Sequence, residues 1–167
     1  MALPLVTNLT RERTARELDG RGPDSCMLET LHELRETNPE VLDMASKCAA
    51  SFGARSESVL LELFIFYRLL RAEYKAMDPR LRLLTPFPRV TARTRDRIVE
   101  LIDDDGLEAF TRGAINDLEQ DNPELLQMAH HSASRLGDYL PVMQGFALIY
   151  KALSEQAATD TAPATLH

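Results

Sequence analysis

The chain has 167 residues, 44% of them hydrophobic and 27% charged, with a formal net charge of −7, a balance that allows one globular domain or two small ones with a real core. The negative charge argues against nonspecific binding to nucleic acid or to an anionic membrane surface, and no segment approaches the roughly 18 apolar residues of a membrane span. Met1-Ala2-Leu3-Pro4-Leu5 lacks the basic start and sustained apolar stretch of a secretory signal, so a cytoplasmic location is expected.

Displaced by 84 positions, the chain lies on itself. Pro4, Val6, Thr7, Thr10, Arg11 and Arg13 fall on Pro88, Val90, Thr91, Thr94, Arg95 and Arg97, and Asn38-Pro39-Glu40 falls on Asn122-Pro123-Glu124. From Pro4 to Gly53, 17 of 50 positions are identical without a gap, about five times the roughly 6% that chance gives for average composition. After Gly53 and Gly137 one residue drops out, and a displacement of 83 sets Val59, Tyr67 and Leu70 on Val142, Tyr150 and Leu153. This predicts an all-α chain of two tandem, pseudo-equivalent units of about four helices each, packed as a pseudo-dimer. The units are expected over residues 1–76 and 88–156, with a proline-containing connector over 77–87 and a disordered tail over 157–167.

In chain order, the first helix of each unit carries Ala15 and Leu18, or Ile98, Leu101 and Ile102, on one side and ends near Gly22 or Gly106. The second runs from about Asp24 to Glu36, and from about Leu107 to Gln120, with apolar residues at spacings of three, four and seven. The third is announced by Asn38-Pro39-Glu40 and Asn122-Pro123-Glu124, which read as a capping amide, a first-turn proline and a carboxylate at the positive end of the helix. Its stripe of Val41, Leu42, Ala45, Ala49 and Phe52 is repeated by Leu125, Leu126, Ala129, Ala133 and Leu136 before Gly53 or Gly137 ends it. The fourth, Val59 to Leu70 and Val142 to Leu153, is apolar nearly all round and is expected to be central. Three prolines in or directly after the connector, Pro79, Pro86 and Pro88, break helix at both ends.

Few residues point to chemistry. Arg11, Arg13, Arg95 and Arg97 sit in first turns, where the helix dipole disfavours cations. They read as neutralised internally by the acidic run that follows, as a grip on an acidic protein partner, or as nucleic-acid contacts, the last without the aromatic or motif signals such binding brings. Tyr67 and Tyr150 read as core tyrosines with one hydrogen bond each, or as the lining of a small-ligand cavity. His130 and His131 point about 100° apart as helical neighbours and do not readily chelate one metal together, which leaves His130 with Glu124 or Asp138 as the metal reading. Cys26 and Cys48 read as small core residues. No phosphate loop, nucleophile elbow, dinucleotide fingerprint or zinc framework is present in the sequence. The expectation is therefore a non-enzymatic interaction or regulatory protein with no cofactor and no metal, the alternative being a helical bundle that binds a small ligand or metal.

Overall fold

The computed structural model describes residues 3–161, and among them it contains nine α-helices and no strand. The helices are α1 (Asn8–Arg21), α2 (Pro23–Thr37), α3 (Pro39–Ala50), α4 (Ser56–Ala76), α5 (Pro79–Leu84), α6 (Ala92–Asp105), α7 (Leu107–Asp121), α8 (Pro123–Leu136) and α9 (Tyr139–Thr161). Displacing α1 and α2 by 84 positions gives the bounds of α6 and α7, and α3 and α8 begin at the same spacing.

The helix starts follow from local chemistry. Thr7 and Thr91 are the N-caps of α1 and α6, accepting from the Thr10 and Thr94 amides at 3.3 and 3.2 Å. Each cap is itself held from the far end of the unit's long helix. Glu73 Oε1 of α4 accepts from the Thr7 amide at 2.8 Å and its hydroxyl at 2.7 Å, while Gln156 Oε1 of α9 accepts from the Thr91 amide at 3.1 Å. The repeated Thr-x-x-Thr is thus a capping device. Gly22 and Gly106 turn the chain into the second helix at φ of 86° and 87°, a region that side chains rarely adopt.

The asparagine of the Asn-Pro-Glu element does not cap its helix. Asn38 and Asn122 occupy the cap positions of α3 and α8 but make no capping hydrogen bond with their side chains. Both are almost fully buried and reach into the other half of the chain. Asn38 Oδ1 accepts from the Val90 amide at 2.9 Å and its Nδ2 donates to the Pro88 carbonyl at 2.8 Å. Asn122 does the same with the Val6 amide at 2.9 Å and the Pro4 carbonyl at 2.8 Å. The backbone groups of two non-helical segments are thus satisfied by a buried side-chain amide.

Packing centres on α4 and α9, which are helical and buried as the apolar runs predict. α4 packs against α1, α2, α3, α8 and α9, and α9 against α3, α4, α6, α7 and α8. Where α4 and α9 meet, the Phe66 and Phe146 rings lie 5.0 Å apart between centroids. The buried hydrophobic residues of both halves form one continuous cluster. Arg55, just before α4, donates to the Leu136 carbonyl at 2.7 Å and pairs with Asp138, just before α9.

Helix α9 runs on through Ala157 to Thr161, into the segment expected to be a disordered tail. Gln156 and Ala157 are buried, and Gln156 Nε2 donates to Asp160 Oδ1 at 2.8 Å one turn on, so packing extends the helix past the point where the apolar pattern fades. The remainder of that tail lies outside the described residues.

Candidate functional site

Arg11 and Arg95 carry matched pairs across the two halves. Arg11 donates to Glu124 at 2.9 Å and to Gln127 at 3.1 Å, and Arg95 donates to Glu40 at 2.8 Å. The carboxylates belong to the Asn-Pro-Glu elements, so each arginine reaches an Asn-Pro-Glu element in the other half of the chain. Arg97 approaches Glu155 at 4.0 Å. Arg13 is exposed and makes no ion pair among the described residues, although its charge is felt at Glu73. Burial pushes the Glu73 carboxyl up, but hydrogen bonds from Thr10 and Thr7 together with Arg13 outweigh it and hold the group below the usual glutamate range.

Both candidate tyrosines are buried. Burial pushes the Tyr67 hydroxyl above its ordinary range, and the Tyr150 hydroxyl is pushed up to about 12 by burial and then by the Asp121 charge. Tyr67 receives a long 3.4 Å contact from Asn38 Nδ2 and meets Phe87 edge-on at 5.7 Å. His130 stacks on Tyr139 and hydrogen-bonds its hydroxyl through Nδ1, while His131 points elsewhere, as described below. Among the described residues no three His, Cys, Asp or Glu side chains are placed to hold a metal ion. Cys26 is buried and Cys48 half-buried.

Two surfaces go beyond the expected sites, although Arg80 and Arg82 of the first belong to a basic run, with Arg89 and Arg93, that is visible in the sequence. The first is the connector. Phe87 plugs it into the body: its ring lies edge-on to Tyr74 at 5.4 Å, and the Arg71 guanidinium stacks over it at 4.8 Å. Tyr74 also donates its hydroxyl to the Arg82 carbonyl at 3.1 Å. With its backbone held in this way, α5 presents Leu81, Leu83 and Leu84 to solvent at 52, 86 and 78% exposure. Arg80 and Arg82 lie between and beside them with no ion pair among the described residues, and the Arg82 Nε is buried without a hydrogen-bond partner. Beside this strip Leu84, Pro86 and Phe87 join Leu3 and Pro4 around a hollow of about 80 Å³, room for roughly one aliphatic side chain.

The second surface is a groove of about 510 Å³ walled by α1 and α8 and floored by α4. Its apolar part includes Leu18, Ile65, Leu69 and Met128, and its polar part includes Arg11, Asp19, Glu62, His131, Ser132 and Arg135. Neither Tyr67 nor Tyr150 lines it. Glu62 is a buried carboxylate in the middle of the most apolar helix of its unit. Its Oε2 accepts from the Ser132 hydroxyl at 2.8 Å, and its Oε1 pairs with Arg135. The lone carboxylate within that apolar run was the signal available in the sequence. No protein-family model matches the chain, and neither curated proteins nor solved structures give a match.

Proposed function

We propose that the chain is a tandem duplication whose two units pack as a pseudo-dimer, and that it works in the cytoplasm as a non-enzymatic interaction module for an acidic, amphipathic protein segment. The pairing is supported by the reciprocal contacts. Asn38 and Arg95 join the third helix of the first unit to the start of the second, and Asn122 and Arg11 do the converse at the same sequence offset. Contacts of α3 with α9 and of α4 with α8 repeat the reciprocity.

The interaction reading is carried by one observation: a connector helix anchored by the Tyr74 hydroxyl and followed by the packed Phe87 exposes three leucines flanked by arginines that pair with nothing in the described chain. Exposed large apolar side chains clustered on one short helix are a mark of interaction sites. Guanidinium groups left without carboxylates select an acidic partner, and the adjoining hollow supplies a place for an apolar anchor.

A photo-crosslinking residue at Leu83 tests this in native lysate. The expected product is a heterologous, acidic segment whose yield falls at high salt and is lost when Leu81→Ser/Leu84→Ser or Arg80→Gln/Arg82→Gln is added to the crosslinking chain without changing its thermal midpoint. Crosslinks only to a second copy of the chain, or yields indifferent to those substitutions, would overturn the proposal.

A further inference from the structure

The groove between α1, α4 and α8 has no counterpart of the same build in the second half, and the difference is residue by residue. Displacement of the sequence sets Thr14 and Ala15 of α1 on Ile98 and Val99 of α6, Glu62 of α4 on Gly145 of α9, and Ser132 of α8 on Cys48 of α3. Ile98 is fully buried. A Cβ added at Gly145 would stand 2.9 Å from Cys48 Sγ and 3.2 Å from Leu63 Cδ2, so α9 and α3 touch closely there. Where the second half brings small side chains into contact, the first keeps a carboxylate, a hydroxyl and a guanidinium. The helix arrangement itself therefore does not require the polar cluster, and a buried ionic group is an expensive way to fill space that Gly and Cys fill without charge.

What the groove offers a ligand follows from which atoms are already engaged. Both oxygens of Glu62 are occupied, by Ser132 and Arg135. The Arg135 side chain is 56% exposed and keeps further N–H donors toward solvent. His131 lies four residues before it on the same face of α8, and Arg11 faces them from α1. Arg135 and His131 supply donors on the α8 wall, Arg11 opposite them is already engaged by Glu124 and Gln127, Asp19 adds a carboxylate on the α1 side, and Leu18, Ile65, Leu69 and Met128 form an apolar bed. The volume falls within the range of small-molecule sites.

We propose that this groove binds an amphipathic anion, a carboxylate head received by Arg135 and His131 with an unbranched or cyclic apolar body laid along Ile65, Leu69 and Met128. On the proposed duplication one unit carries this site, because the other has Ile98, Gly145 and Cys48 where this one has Thr14, Glu62 and Ser132.

Sodium decanoate, n-decanol and decyltrimethylammonium form the test set, titrated calorimetrically into the full chain. Decanoate is expected to saturate one site per chain with a Kd on the order of 100 μM, a value suited to so small a ligand. The neutral and cationic analogues are expected to bind at least about tenfold more weakly, the direction that a charge-assisted contact gives. Thr14→Ile/Ala15→Val installs the residues that α6 carries at the equivalent positions and is expected to abolish binding while retaining the helical signal. Arg135→Gln is expected to weaken decanoate about tenfold and to leave decanol unchanged. Methyl chemical shifts of Ile65, Leu69 and Met128 in the unmodified chain provide a readout that needs no variant to fold. No saturable binding, equal affinity for the three probes, or shifts confined to other methyl groups would each overturn the proposal.

Discussion

Replacing Asn38 with Ala removes both hydrogen bonds that fix the segment leading into α6. The Val90 amide and the Pro88 carbonyl lose partners at 2.9 and 2.8 Å, and both residues are buried, so water cannot replace what is lost. At about 1–3 kcal/mol for each buried group left unpaired, the expected loss is about 3 kcal/mol. For a chain of this length that corresponds to a fall in melting temperature of roughly 6–12 °C. The matching Asn122→Ala change orphans the Val6 amide, which is buried, and the Pro4 carbonyl, which belongs to a half-buried residue. Water can reach the second of these, so Asn122→Ala is expected to cost less than Asn38→Ala. Urea unfolding followed by circular dichroism, with the denaturant slope checked for constancy, measures both. A loss below about 1 kcal/mol for Asn38→Ala, or the reverse order of the two variants, would refute the idea that these amides act by satisfying the other half's backbone.

Three further outcomes are expected. Gly145→Ala should destabilise by about 1–2 kcal/mol, because crowding against Cys48 and Leu63 outweighs the gain in helix propensity, whereas in a Cys48→Ala background the same change should stabilise by up to about 1 kcal/mol; a double-mutant cycle by urea unfolding measures this coupling. Because the folded Glu73 carboxyl titrates below its ordinary value of 4.5, its stabilising contribution is present above that pH and is lost as pH falls through the depressed value. Glu73→Gln, which copies Gln156, should flatten the acid limb of stability below about pH 4.5, and an unchanged limb would show that Glu73 is not the group responsible. Arg11→Gln should lower the melting temperature in dilute buffer, and by less in 1 M salt if its bond to Glu124 matters mainly as a charge pair.

The helices were legible because their signals are local. Pro39 and Pro123 in first turns, glycines after helix ends and apolar stripes at helical spacing each act within a few residues, and the duplication presents every one twice. The role of Asn38 was not legible, since a cap and a trans bond place the same residue type at the same position and only the approach of Pro88 and Val90 decides between them. Arg11 and Arg95 show the same limit: their unfavourable place on the dipole was visible, and the carboxylates opposite them were not. The groove depends on comparing side-chain volumes at paired positions, Thr14 against Ile98 and Glu62 against Gly145. That comparison acquires meaning only once α1, α4 and α8 are known to converge.

The ion pair of Arg55 with Asp138 has a consequence for how such a chain can change over time. Under the displacement of 83 these two residues are each other's counterpart, so on the proposed pairing one structural position meets itself. In an assembly of two identical subunits any such position must face its own copy, and a charge there is opposed by the same charge. A single mutation cannot turn that repulsion into attraction while one gene encodes both sides. Once the units are encoded in tandem, Arg can stand on one side and Asp on the other, and each half then carries a residue suited only to the other. On the proposed duplication, the tandem arrangement removes a constraint that symmetry imposes, and the charge pair makes return to two interchangeable halves unfavourable.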